Sequence, residues 1–283
     1  MEEKIYNTEG KLSRFISYFY VASIGEDQPG QTKFLVPNLE MILILNFGPP
    51  LDVCFGGDCK WSHQILNFGI IGPLRKQLNY RMPPGSSFIA ANFTLDGFYK
   101  IYKVSLDHIK GQEILDPDVI SKSDKCAELV KKLVACSHMD QKIELLKSHF
   151  IQLMKQTKVS SKFIRSCTQE DTVIIFDAAK IASSKMNTSE RNAQLLYKKH
   201  LGYSSREKFT HVRFKELIKH LIKIKTSQIN WIEIAADFGY YDQSHMIRDF
   251  KKFLDITPQY FLSEIDTFCL TQDFISLPKI KKK

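Results

Sequence analysis

The sequence has no apolar run approaching the roughly 18 residues that a membrane-spanning helix needs, so a spanning protein is not expected, and no membrane is expected among its partners. It has no Gly-x-Ser-x-Gly elbow and no phosphate-binding glycine loop, so the common nucleophilic and nucleotide-dependent chemistries lack their motifs. His63 and His108 stand alone, with no His-x-His pair and no glutamate at ligand spacing. No catalytic residue, metal or cofactor is therefore expected. Cysteines number six and are scattered: Cys54, Cys59, Cys126, Cys136, Cys167 and Cys269. Cys54 and Cys59 sit five apart, but no second pair or suitably spaced histidine completes a zinc site. Reduced structural thiols are expected. Glycine (13) and proline (10) are too few for a collagen or a low-complexity chain. The opening Met-Glu-Glu-Lys-Ile-Tyr has neither the basic nor the apolar region of a signal peptide, and a cytoplasmic location is expected.

What is present is an ordinary globular composition, 43% hydrophobic and 12% aromatic over 283 residues, enough for one large or two ordinary domains. The charge is divided unevenly. Residues 1–150 carry 17 basic and 17 acidic residues, while residues 151–283 carry 23 basic and 14 acidic, so the whole net charge of +9 lies in the second half. A neutral half joined to a basic half points to a polyanionic partner for the basic half alone.

Residues 1–115 read as β. Apolar runs at Lys33–Val36, Met41–Phe47, Gln64–Ile71, Phe88–Phe93 and Phe98–Val104 are separated by Gly48-Pro49-Pro50, Gly56-Gly57-Asp58, Gly72-Pro73 and Pro83-Pro84-Gly85. Gly56-Gly57-Asp58 suits a hairpin turn. This punctuation predicts a sandwich or barrel. Leu12–Val21 fits helix or strand, and Leu12, Phe15, Ile16 and Phe19 favour a helical face. Beyond Asp116-Pro117 two helical patterns follow: Cys126, Leu129, Val130, Leu133 and Val134, then Ile143, Leu146, Phe150, Ile151 and Met154. They fit a connector, a subunit-packing surface or intrachain core equally. From about 170 onward only helices are predicted, ending near Leu262, with a basic tail Leu277–Lys283 that is expected to be disordered.

The basic half contains a repeat at an offset of 53 residues. Ile181-Ala182 matches Ile234-Ala235, Ser189 matches Asp242 as N-cap, Tyr197-Lys198-Lys199 matches Phe250-Lys251-Lys252, Leu201 matches Leu254, and Ser204 matches Thr257. Each unit reads as a short helix, a tight turn and a capped second helix, the outline of a helix-turn-helix. In the second unit Trp231, Ile234, Ala235 and Phe238 form an apolar face, and Gly239 supplies the stop. In the following helix Met246, Phe250 and Phe253 face inward, with Ile247 and Leu254 beside them. Ser244, Arg248, Lys251 and Lys252 face outward, with Gln243 and His245 at the start. Polar groups there suit base edges, and the lysines suit phosphates. A spacer helix, about Arg206 to Ile224, would bury Phe209, Leu217, Leu221 and Ile224 and span about 28 Å.

These residues resemble the AraC/XylS family of bacterial transcription regulators. Trp231-Ile232-Glu233-Ile234-Ala235-Ala236-Asp237-Phe238-Gly239-Tyr240 is similar to the family's "IA…GF" helix. Asp242-Gln243-Ser244-His245-Met246-Ile247-Arg248-Asp249-Phe250-Lys251 is similar to its "D-Q-S-[HY]-F-x-R-x-F-K" helix, and Ile256-Thr257-Pro258 with Phe261 to its "G-x-S-P-x-x-[YF]". Ser189-Glu190-Arg191, Lys198 to Ser204 and Val212-Arg213-Phe214 match the first unit less fully. Ala193 and Leu195 stand where the family has Leu and Arg, Asp255 where it has Gly, and Ser205 where it has Pro. Asp171–Ser184 also reads as the family's leading helix, which leaves the first unit shortened. Phe34-Leu35-Val36-Pro37 with Met41–Phe47, Ile71-Gly72-Pro73-Leu74, Pro84-Gly85 and Gly97-Phe98-Tyr99 resemble landmarks of the family's cupin-like sensor barrel.

The resemblance implies an α+β two-domain chain, with an N-terminal cupin-like β-barrel or sandwich and a C-terminal all-α tandem helix-turn-helix. The expected divisions are 1–118 for the sensor or dimerisation domain, 119–160 for a helical connector, 161–265 for the DNA-binding domain and 266–283 for a basic tail. Gln243, Ser244, His245 and Arg248 would read bases, with Arg191 and Gln194 in the first unit. Lys198, Lys199, Lys251 and Lys252 would anchor phosphates. The implied partners are double-stranded promoter DNA, a small effector, a second copy of the chain and RNA polymerase. The alternatives are a degenerate regulator or a non-specific DNA binder that has lost its first unit.

Overall fold

The computed structural model describes residues 1–57, 60–107, 113–115, 125–156, 183–184, 187–224, 229–265 and 268–269. The N-terminal part is two sheets. One has six strands in the order β1-β2-β9-β4-β7-β10: β1 (Glu2–Asn7), β2 (Ile16–Ser23), β9 (Ser87–Phe93), β4 (Ile42–Asn46), β7 (Phe68–Ile71) and β10 (Ile114–Leu115). The other runs β11-β3-β8-β5-β6: β11 (Phe268–Cys269), β3 (Gln31–Leu35), β8 (Leu78–Met82), β5 (Leu51–Phe55) and β6 (His63–Ile65). All pairings are antiparallel except β11 with β3.

The first sheet is buried on both faces. Ile42, Ile44, Phe88 and Ala90 face Leu51, Val53, Leu78 and Tyr80 of the second sheet. Leu43, Leu45, Ile89, Ala91 and Phe93 face three helices: α1 (Gly97–Tyr102), α2 (Lys125–Ala135) and α3 (Met139–Gln156). Cover on both sides explains why β4 is a continuous apolar run rather than an alternation. Leu129, Leu133, Ile143, Leu146 and Phe150 complete that core, so α2 and α3 pack within the chain, while Val134 and Ile151 are exposed. Lys142 reaches from α3 to the carbonyls of Leu133 and Cys136 at the end of α2.

Four local expectations change. Leu12–Val21 is not a helix: a short 3-10 turn at Leu12–Arg14 leads into strand β2. The register of β2 on β9 shifts between Ile16 and Tyr18. That bulge brings Ile16 into the same core as Phe19 and Val21, while Tyr18 and Tyr20 line the space between the sheets. A bulge thus produces the three-residue spacing that reads as helical. Phe98–Val104 is not a strand, because Gly97–Tyr102 is helical and buries Phe98 and Ile101 three apart. The run Gln64–Ile71 is two strands, and β11 is a strand where none was predicted. A two-residue strand carries no periodic signal, and its pairing with β3 decides it.

Cys54, expected as a reduced thiol, is disulfide-bonded, and Cys136 is free. Pairing depends on how close in space a second cysteine lies, which composition does not report.

The C-terminal part is helical: α4 (Glu190–Leu201), α5 (Ser205–Lys223), α6 (Trp231–Asp237), α7 (Gln243–Leu254) and α8 (Pro258–Ser263). Spacer α5 has the expected length and buries His211, Arg213, Phe214, Leu217, Ile218 and Leu221, whereas Phe209 and Ile224 are half-buried. Its start is a full capping box between Ser204 and Glu207.

The two parts are closely docked. Val36 of the barrel lies in the core of Phe214, Leu217 and Phe253, and Leu39 lies with Ala193, Tyr197 and Leu201. The amides of Gln77, Leu106 and Gly57 donate to Phe253 O (2.9 Å), Lys199 O (2.8 Å) and Asp255 Oδ2 (3.0 Å). His211 Nε2 donates to Pro37 O at 2.8 Å, and Arg75 donates to Gly202 O. The C-terminal ends of α4 and α7 therefore both rest on the barrel.

Candidate nucleic-acid interface

The 53-residue repeat is a structural repeat. Helices α4 and α7 are each 12 residues long. Ser189 caps the first by accepting from Asn192 N at 3.2 Å, and Asp242 caps the second by accepting from His245 N at 2.6 Å. These side chains satisfy amides that a helix start leaves without partners. Both helices end on a left-handed residue, Gly202 (φ 79°) and Asp255 (φ 62°). The next helices are capped by Ser204 and Thr257. Buried Ala193, Tyr197, His200 and Leu201 stand opposite Met246, Phe250, Phe253 and Leu254.

The leading turns differ. In the second unit Gly239 is left-handed (φ 69°) and Tyr240 N closes on Ala235 O at 2.9 Å. In the first unit Asn187 takes that role (φ 52°), and Thr188 N closes on Ser183 O at 3.0 Å. The first turn is one residue shorter before its N-cap, so Ser183, not Ala182, corresponds to Ala235. Ile181-Ala182 and all but Ser183–Ser184 of the alternative helix Asp171–Ser184 lie outside the described residues, as does the tail Leu277–Lys283. Tyr241, the extra turn residue of the second unit, is 93% exposed.

The structure leaves Gln243, Ser244, Arg248, Lys251 and Lys252 exposed on α7, and Arg191, Gln194, Lys198 and Lys199 exposed on α4. His245 is different. It is half-buried, with Nε2 at 3.2 Å from Arg213 Nη2 and its ring edge-on to Tyr240. Arg213, which the sequence places only within the Val212-Arg213-Phe214 match, has a structural role. From α5 it donates to Asp249 Oδ2 at 2.7 Å and to Gly239 O at 3.3 Å, and its guanidinium stacks 4.0 Å from the Tyr240 ring. Both Arg213 and Asp249 are buried. Burial, then the nearby Asp249 carboxylate, pushes the Tyr240 hydroxyl well above its ordinary range. This cluster fixes the turn and α7 to α5. The two residues are 36 apart on different helices, so no local pattern in the sequence pairs them.

In the first unit His200 stacks on Tyr99 of the barrel at 3.9 Å. Burial lowers its pKa to about 4, with Lys199, Lys103 and Lys100 adding to the effect. The unfolded chain takes up a proton near the ordinary value of 6.5 and the folded chain does not until about pH 4. Stability is therefore lost as pH falls through that interval. The thermal midpoint should fall between pH 7 and pH 5 by more in the wild type than in His200→Phe. Equal falls would contradict the assignment.

Between the sheets lies a small apolar cavity of about 80 Å³, lined by residues such as Tyr18, Ile44, Val53, Tyr80, Ala90 and Asn92. No cluster of three or more metal-ligating side chains occurs among the described residues, and none of their helices is long and apolar enough to cross a membrane.

Residues 182–264 match a family of helix-turn-helix domains. No curated protein matches the chain. Among solved structures, ToxT from Vibrio cholerae O395 is 14% identical, with 87% of this chain and 96% of that chain covered and a TM-score of 0.38. ToxT bound to (E)-4-(8-methylnaphthalen-1-yl)but-3-enoic acid is 12% identical over 93% of this chain and 99% of that one, with a TM-score of 0.41. The AraC-like transcriptional activator CuxR is 9% identical over 88% and 79%, with a TM-score of 0.26. Over residues 182–264 the helical C-terminal part of this chain is thus similar to helix-turn-helix domains.

Proposed function

We propose that the chain is a cytoplasmic, sequence-specific regulator that binds double-stranded promoter DNA through both helix-turn-helix units and takes a small apolar effector in its barrel. The observation that carries the reading is the duplicated, capped helix with a polar and basic outer face: Ser244, Arg248, Lys251 and Lys252 on α7, Arg191, Gln194, Lys198 and Lys199 on α4. Arginine at Arg248 suits a bidentate contact with guanine, and the lysines suit phosphates. On this reading residues 1–118 and the helices of 119–160 sense, and 161–265 reads DNA. A second copy of the chain and RNA polymerase belong to the same proposal as partners.

Arg248→Ala should cost about 1–3 kcal/mol on the preferred site and far less on random DNA. Equal loss on both would remove Arg248 from base reading. Lys251→Ala should weaken every sequence alike and reduce the dependence on salt; titrations at several salt concentrations measure this, and an unchanged slope counts against a phosphate contact.

The cavity supports the effector half of the reading, because it is apolar and lies between two sheets, with Asn92 and tyrosines supplying polar atoms. Ala90→Phe should fill it. Calorimetry with an apolar ligand that binds the wild type should then show loss of binding, with DNA affinity of the ligand-free protein retained. Undiminished binding by the variant would place the ligand elsewhere.

A further inference from the structure

We infer that the first recognition helix reads the 5-methyl group of a thymine through Leu195. The inference rests on the DNA-binding reading above and names what α4 recognises. Arg191, Gln194, Leu195 and Lys198 follow the three- and four-residue spacing of one helix face, and all four are exposed. Leu195 is 56% exposed in the middle of this otherwise polar and basic face. Its neighbours Ala193 and Tyr197 are fully buried, so the apolar requirement of the helix core is met without it.

The repeat says what the position is for. Caps, C-terminal left-handed residues and buried positions of α4 and α7 coincide at an offset of 53, and the same offset places Leu195 on Arg248. Where the second unit presents a guanidinium to base edges, the first presents an isobutyl group. A leucine cannot hydrogen-bond a base edge. The apolar feature of the major groove is the thymine methyl. Arg191, Lys198 and Lys199 supply the positive charge that brings this face to the duplex, and Gln194 suits an adjacent adenine. The first half-site therefore contains a thymine where the second contains a guanine.

The test replaces each thymine of a selected site, one at a time, by deoxyuridine, which removes only the methyl. Uracil at one position of the first block should weaken binding about fourfold, the equivalent of ~0.8 kcal/mol for one buried carbon. Leu195→Ala should abolish that sensitivity and leave uracil substitutions in the second block as they were. Leu195→Arg should move the preference at that position from thymine to guanine. Since Leu195 is exposed, neither variant removes core packing. A preferred site whose affinity is indifferent to every uracil overturns the inference and leaves the functional reading standing. So does a Leu195→Ala protein that retains the same uracil sensitivity, or one that changes only its oligomeric state. Selection that yields no preferred site overturns both.

Discussion

Arg213→Ala is expected to cost the helical domain about 3–5 kcal/mol and to abolish specific DNA binding. Arg213 and Asp249 are both buried and lie 2.7 Å apart. Removing the guanidinium leaves an unpaired carboxylate in the core, which is the costly half of any buried ion pair. It also frees Gly239 O, the Tyr240 ring and His245 Nε2, three groups that hold the turn before the recognition helix. A recognition helix that tilts on its spacer cannot keep Arg248 and the two lysines in register with a groove. Denaturant unfolding measures the first effect and DNA titration the second. The double variant Arg213→Met with Asp249→Leu should regain most of the stability, since an apolar pair leaves no charge unpaired. A single variant as stable as the wild type would show that the pair does not anchor the helix.

Val36→Asp should separate the helical domain from the barrel. Val36 is completely buried, yet it belongs to the strand-rich part and packs into the core of α5 and α7. A carboxylate there would take the place of a completely buried apolar side chain, so keeping the docked state would cost on the order of 3–5 kcal/mol. Undocking restores its hydration. The amides of Gly57, Gln77 and Leu106, which donate across the junction, should then exchange with solvent far faster, while those within β4 and β9 stay protected. Val36→Ala, which only leaves a small void, should shift those rates much less. Unchanged protection in Val36→Asp would show that the docking does not depend on this residue.

The parts of the architecture that were readable in the sequence are those where one residue type has one reason to be present. Ser189 and Asp242 are read as caps and both act as caps, and Ser204 and Thr257, read only as matching positions of the repeat, cap the helices that follow. Met246, Phe250 and Phe253 follow helical spacing because α7 has one buried face. The readings that failed did so where tertiary cover overrides local pattern. Strand β2 is apolar on both faces and bulged after Ile16, so its spacing imitates a helix. Phe98 and Ile101 sit in a short helix whose apolar residues pack against the first sheet and α3 rather than extending the strand series. The role of Arg213 was hidden because an arginine on a basic helix ordinarily faces solvent, and only the position of Asp249 on another helix shows that it is buried. The wedge of Val36 and Leu39 into the helical domain is a contact between residues far apart in sequence, and no local periodicity encodes it.

The central claim is that both units read DNA. Selection from random duplexes on the full-length protein at about 150 mM salt tests it, because that ionic strength screens non-specific attraction. The account predicts enrichment of two short blocks about one helical turn apart, the spacing that successive major-groove segments impose. A single block would contradict a reading role for α4, and salt-sensitive binding without any enriched block would contradict sequence-specific recognition altogether.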